Sequence, residues 1–145
     1  MVPDFTEGGL LPPGVYWATW EETVSRFGGN RRRRELLAGL RAALENLRDA
    51  GCRTVYINGS FVTDKGVPGD FDACWEEQGV DPDLLDPVLL EFDRGREAQK
   101  AKHLGELFPV ADAGGDGLSL LEFFQTDKES GQPKGIVAID LRGLT

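Results

Sequence analysis

The chain has 145 residues, of which 40% are hydrophobic and 28% are charged, and its 16 basic and 25 acidic residues leave a net charge of −9. This length predicts one domain with a substantial hydrophobic core, and the composition excludes a chain that is disordered throughout. The negative charge repels phosphate backbones, so wholesale binding to nucleic acid is not expected, although a local basic groove stays open.

The two cysteines, Cys52 and Cys74, lie beside predicted strands and are typical of small buried residues rather than of a disulfide framework or a zinc site. The N-terminus lacks the basic and apolar stretches of a signal peptide. No segment approaches the ~20 apolar residues that cross a membrane. We therefore expect a cytoplasmic protein with reduced thiols and no membrane partner.

Residues 1–16 are rich in Pro and Gly, which predicts an extended N-terminal arm that precedes a single domain at 17–145. Aromatic residues in and just after this arm, such as Phe5 and Trp17, indicate that it packs against an apolar surface. That surface is either the core of the same chain or the surface of a protein partner, including a second copy in a homodimer.

Two helices are predicted next. Thr19 and Glu22 form a capping box, so a first helix begins there and ends before Gly28. Asn30 caps a longer helix that ends near Gly51, because leucines recur along it at three- and four-residue spacing. Four consecutive arginines, residues 31–34, begin this helix and point in different directions, which favours solvated or ion-paired side chains over one basic face.

The remaining chain alternates strands with short helices. Strands are predicted at 53–58, at 70–75, in ELFPVAD, in LSLLEFFQ and at 135–141, and a polar helix is predicted in REAQKAKHLG. The order of these elements predicts an α+β fold, an α/β sandwich in which helices flank a mixed sheet of about five strands.

One stretch carries a chemical pattern. The strand at 53–58 ends in Gly59-Ser60, and a second strand presents Asp70 and Asp72 on one face with Phe71 on the other. Two carboxylates this close repel each other unless a cation lies between them, and Mg²⁺ prefers such oxygen ligands. Glycine lets a phosphate approach the backbone, and serine adds hydrogen-bond donors.

This stretch, INGSFVTDKGVPGDFDACW, resembles the polymerase-β-like nucleotidyltransferase superfamily, and most of all its small bacterial minimal members, some of which act in toxin–antitoxin pairs. The longer run from PPGVYWATWEE to GIVAIDL looks like an uncharacterised bacterial family that shares the motif. The superfamily resemblance implies that Gly59 and Ser60 bind a nucleoside triphosphate, and that Asp70 and Asp72 bind one or two Mg²⁺ ions during nucleotidyl transfer to an acceptor that the sequence does not identify.

The resemblance also implies a third carboxylate on a later strand. Glu122, in LLEFF, is the preferred position, and Asp140, in AIDL, is the alternative. Minimal members place this acid near the segment ELFPVAD, where the central position is Phe108 and the acids are Glu106 and Asp112. The alternative hypothesis is a catalytically inactive protein on the same fold that acts as a toxin–antitoxin-type or regulatory binding module.

Other polar residues carry weaker signals. Lys65 lies between the two halves of the motif and is a candidate phosphate ligand. Arg96 and Lys100 share one helix face and would bind a triphosphate or a polynucleotide, or else be solvated. His103, the single histidine, and Lys134, in a predicted hairpin turn, are expected to be exposed.

Overall fold

The structure, a computed structural model, describes residues 2–91, 93–110, 125 and 131–144, with the backbone alone for 93–96. Three α-helices are described: α1 (Trp20–Phe27), α2 (Arg31–Asp49) and α3 (Asp93–His103). Five strands are described: β1 (Gly14–Trp17), β2 (Thr54–Asn58), β3 (Phe71–Trp75), β4 (Gly105–Pro109) and β5 (Gly135–Asp140). None of the described helices is both long enough and apolar enough to span a bilayer.

The five strands form one mixed sheet in the order β1-β5-β2-β3-β4. Strand β2 runs antiparallel to both of its neighbours, β5 and β3, whereas the outer pairs β1–β5 and β3–β4 are parallel. The predicted α+β fold with a mixed five-stranded sheet is therefore confirmed. Strand β1 was not predicted, and the predicted strand LSLLEFFQ lies almost entirely outside the described residues.

The two faces of the sheet differ in what they contact. Alternate side chains of β2, β3 and β5 join the leucine stripe of α2 in the main hydrophobic core. A second, smaller cluster lies on the opposite face and centres on Cys74 and Ile136. Both cysteines are buried free thiols, as predicted, and burial raises the pKa of Cys52 to about 11 and that of Cys74 to about 12.

The N-terminal residues pack against the chain's own core. Phe5 contacts Phe27 with tilted rings whose centroids lie 6.4 Å apart, and Leu11 is fully buried. Strand β1 begins at Gly14, so the last residues of the predicted arm belong to the sheet. The arm was expected to pack either on the core of its own chain or on a protein partner, and Phe5 contacts the core of its own chain.

The helix starts follow the sequence signals. The Thr19 hydroxyl accepts a hydrogen bond of 3.1 Å from the amide of Glu22, and the Asn30 carboxamide oxygen accepts one of 2.9 Å from the amide of Arg33. These caps satisfy amides that the first turn of a helix leaves without partners. Both predicted caps are confirmed.

The expectation that His103 is exposed is wrong. Its side chain is buried where the end of α3 meets α2, and Nδ1 donates to the carbonyl oxygen of Gly39 over 3.0 Å. The close approach depends on Gly39, because a Cβ atom there would lie 2.0 Å from the His103 carbonyl oxygen. The polar sequence of α3 concealed this contact. Burial lowers the pKa of His103.

We predict that the folded state loses stability below about pH 6.5, the usual pKa of an unfolded histidine. Because the pKa of His103 is lower when folded, the unfolded chain takes up the proton first, and the loss continues down to the folded-state pKa. The slope contributed by this group is at most about 1.4 kcal/mol per pH unit. Urea unfolding between pH 8 and pH 5, compared with His103→Gln, isolates its contribution; identical slopes would contradict the assignment.

Candidate functional site

One edge of the sheet collects the polar residues of three strands. Because β2 and β3 are antiparallel, the end of β2 at Asn58 lies opposite Asp72 near the start of β3. Strand β4 runs parallel to β3 and places Glu106 beside Asp72. Side chains paired in this way project from the same face of a sheet. The topology therefore places Asn58, Asp72 and Glu106 side by side.

Three carboxylates form an acid cluster at this edge, namely Asp70, Asp72 and Glu106. One oxygen from each lies within 4.8 Å of the other two, and all three residues are half-buried. Between them in the sequence, Phe71 is fully buried in the main core, which fixes the two aspartates on the opposite side. Ligands on opposite sides of Mg²⁺ are about 4.2 Å apart, so a small inward shift lets this acid cluster hold a divalent cation.

Gly59 brings the predicted phosphate corner into contact with the acid cluster. Its φ of 85° favours glycine, and a Cβ atom at this position would lie only 2.8 Å from Oδ2 of Asp72. Ser60 follows and begins a short 3₁₀ turn, Ser60–Val62. The structure thus brings together the two halves of the motif, which are separated by nine residues in the sequence.

Asn58 adds an oxygen that the sequence analysis did not single out. The residue is only 4% exposed, and its Oδ1 has no hydrogen-bond partner among the described residues. A buried acceptor without a donor costs about 1–3 kcal/mol. Since Asn58 lies directly opposite Asp72, a bound cation or its water could satisfy this oxygen. The residues present therefore fit a hydrated divalent metal ion.

Glu106 also carries a basic partner. Nζ of Lys100, in the last turn of α3, lies 2.8 Å from Oε1 of Glu106. The Lys100 side chain is 46% exposed, whereas that of Glu106 is 15% exposed, so the ammonium contacts the carboxylate from the solvent side. The Lys100 side chain is therefore not merely solvated, because it forms an ion pair with a member of the acid cluster.

The third carboxylate of the described cluster is Glu106. Glu122, the preferred position, lies outside the described residues. The alternative, Asp140, pairs with Thr54 at the opposite end of β2, and its carboxylate accepts hydrogen bonds from Arg142, which lowers the pKa of Asp140. Asp140 therefore does not belong to this site. The one sequence signal for Glu106 is its place in ELFPVAD, the segment near which minimal members of the resembled superfamily carry this acid.

The connection between β2 and β3 is held by side chains from the start of α2. Buried Arg33 donates to the carbonyl oxygens of Phe61 (2.7 Å), Thr63 (2.8 Å) and Lys65 (2.6 Å). Arg32 donates to the carbonyl oxygens of Pro68 and Gly69, and Asn30 to that of Gly66. We name residues 61–69 the motif loop. Arg33 holds the first half of the motif loop, which follows Gly59-Ser60. Arg32 holds the end of the loop that leads to Asp70.

The other basic candidates have different environments. Lys65 is exposed in the motif loop, within reach of solvent. Lys134 was expected to be exposed but is 7% exposed, so that expectation is wrong. It directly precedes β5, whose start lies beside the end of β2, and therefore belongs to the same edge of the sheet as Gly59. Arg31 is ion-paired with Glu35 on the surface, as predicted for the arginine run, but for buried Arg33, which binds backbone carbonyl oxygens, that prediction is wrong.

The chain matches the model of a family of unknown function, DUF6932, over residues 3–140, and it belongs to that family. No curated protein and no solved structure matches the chain significantly.

We predict that Arg33→Met lowers the free energy of unfolding by about 2–4 kcal/mol, because the buried carbonyl oxygen of Phe61 and the partly buried ones of Thr63 and Lys65 lose their donor. Arg34→Met is the matched control, since Arg34 is exposed and its one described contact is a 3.5 Å bond to the Gly28 carbonyl oxygen. This control should change stability by less than about 0.5 kcal/mol. Urea unfolding measures both values, and equal effects would contradict a specific role for Arg33 in holding the motif loop.

Proposed function

We propose that this member of DUF6932 is a Mg²⁺-dependent nucleotidyltransferase. It would move a nucleoside monophosphate from a nucleoside triphosphate to a hydroxyl group of an RNA, a protein or a small molecule. The observation that carries the proposal is the meeting of Asp70, Asp72 and Glu106 within 4.8 Å, directly beside the backbone of Gly59. This proximity of the residues supports the proposal in addition to the sequence resemblance between the motif and polymerase-β-like nucleotidyltransferases.

Each part of the site has a role in the proposed reaction. The three carboxylates bind Mg²⁺, which supplies neutralising charge for the phosphates. Gly59 and Ser60 hold the triphosphate at the end of β2, and Lys65 contacts it from the motif loop. The acceptor oxygen attacks the α-phosphorus, and the bond to the bridging oxygen breaks so that pyrophosphate leaves. A carboxylate of the acid cluster takes the proton from the acceptor hydroxyl.

The negative charge of the protein determines how the nucleotide and the metal bind. A net charge of −9 and three clustered carboxylates repel a free triphosphate, so the nucleotide binds only together with its metal. Positioning then supplies much of the rate acceleration, because the acceptor and the triphosphate are held in line. The motif loop, held by Arg32 and Arg33, keeps Gly59 and Asp70 in fixed relation for this purpose.

We predict that the parent protein binds a nucleoside triphosphate in the presence of Mg²⁺ and that chelation of the metal abolishes binding. Asp70→Asn with Asp72→Asn should weaken this binding at least about tenfold, because two metal ligands lose their charge. The matched control is Asp81→Asn with Asp83→Asn, which changes two exposed aspartates at the same spacing. Titration calorimetry measures all three proteins.

Equal triphosphate affinity in the Asp70/Asp72 variant and the parent would show that the site assignment is wrong. The variant should remain folded, since removal of two neighbouring charges relieves repulsion in the metal-free protein. Circular dichroism of each variant checks this condition, so that a loss of binding cannot be confused with a loss of fold.

A binding module on the same fold is the second candidate. It is favoured by a half-exposed Trp17, which lies with Trp20 and Leu144 along a groove at the sheet end away from the acid cluster. Exposed aromatic residues are enriched in protein interfaces. Incubation with Mg²⁺, each α-labelled triphosphate and cell extract separates the two: a labelled acceptor supports the transferase, whereas a stable protein partner without pyrophosphate release supports the module.

A further inference from the structure

Lys100 occupies an unusual place for a lysine on a polar helix. Its ammonium lies 2.8 Å from Glu106, which is one of the three residues of the acid cluster. The next lysine of the helix, Lys102, pairs instead with Asp86, outside the acid cluster. Two lysines on one helical turn therefore have carboxylate partners of different kinds, one of which belongs to the candidate metal site.

The ion pair and a metal ion compete for the same carboxylate. A dication held by the acid cluster would lie within a few ångströms of the Lys100 ammonium, and like charges at that distance repel strongly when partly shielded from water. With the ammonium in place, the three carboxylates and Lys100 carry two net negative charges; once it leaves Glu106, the acid cluster presents three negative charges to the dication and no like charge beside it.

Asn58 provides an independent indication that the ammonium does not complete the site. Its buried Oδ1 lies on the face of Asp72 and has no donor among the described residues. An oxygen in this position suits a hydrated cation, whose waters donate hydrogen bonds. The site thus has a buried acceptor that Lys100 leaves unsatisfied.

We propose that Lys100 is the resident counter-cation of the acid cluster, that a divalent metal displaces it from Glu106, and that the freed ammonium then binds the phosphates of the incoming triphosphate. This inference rests on the proposed function, to which it adds the exchange of the Lys100 ammonium for a metal ion at Glu106. The side chain is 46% exposed, so the ammonium has space to move on the solvent side of the site. Lysine suits this role because its charge is a compact point on a flexible stem.

The exchange predicts effects of opposite sign for Lys100→Gln. Without the competing ammonium, Mn²⁺ alone should bind about tenfold more tightly, as measured by the loss of the free-ion electron paramagnetic resonance signal. With Mg²⁺ present, a non-hydrolysable triphosphate should bind about tenfold more weakly by calorimetry, because one phosphate ligand is gone. Lys102→Gln is the matched control and should change neither affinity more than about twofold.

The outcomes separate the two proposals. If the parent binds Mn²⁺ but Lys100→Gln changes both affinities in the same direction or neither, the exchange is wrong and the proposed function stands. If the parent binds no Mn²⁺, both proposals fail. In a Glu106→Gln background, Lys100→Gln should no longer tighten Mn²⁺ binding, since the ion pair is already broken. If Lys100→Gln still tightened Mn²⁺ binding in the Glu106→Gln background, Lys100 would not act through its ion pair with Glu106.

Discussion

The antiparallel pairing of β2 with β3 is the constraint on which the rest of the candidate site depends. The pairing places Asn58 opposite Asp72 and brings the backbone of Gly59 so close to Asp72 that a Cβ atom there would lie 2.8 Å from its carboxylate oxygen Oδ2. Because β4 then runs parallel to β3, Glu106 joins them at the same edge. A strand shifted by one residue would turn Asp72 into the core and Phe71 toward solvent, so the buried Phe71 also fixes the register of the acids.

The site gathers negative charge in a protein that already carries an excess of it. Such clustering costs free energy unless cations offset it, and the structure offers one in Lys100. Repulsion of this kind lowers the free energy of unfolding, which is why functional sites often reduce the stability of the fold that carries them. In the motif loop, by contrast, Arg33 and Arg32 donate hydrogen bonds to the backbone carbonyl oxygens. These bonds leave the loop little freedom to move.

Much of the fold was predictable because its signals are local. Caps at Thr19 and Asn30, the leucine stripe of α2 and the β-branched run of β2 each identify an element without reference to the rest of the chain. Strand β1 escaped prediction because its four residues carry little pattern and follow two prolines. It is a strand because it pairs with β5, which is distant in sequence.

The candidate site was predictable only in part, for the same reason. Gly59, Ser60, Asp70 and Asp72 form a motif within one short stretch, whereas the place of Glu106 depends on which strand lies next to β3. The acid in LLEFF has the clearer strand pattern, and local pattern alone therefore favoured it. His103 and Arg33 were misjudged or passed over because polar sequence predicts exposure, while both are buried by contacts with distant backbone carbonyls.

The central claim is that the acid cluster binds a divalent metal together with a triphosphate. The most direct measurement is anomalous X-ray diffraction from crystals of the full chain grown with Mn²⁺ and a non-hydrolysable nucleoside triphosphate. We predict an anomalous peak in contact with the carboxylates of Asp70, Asp72 and Glu106, with the triphosphate beside Gly59 and Ser60. A triphosphate bound elsewhere, or well-ordered carboxylates at this edge with no anomalous peak, would contradict it.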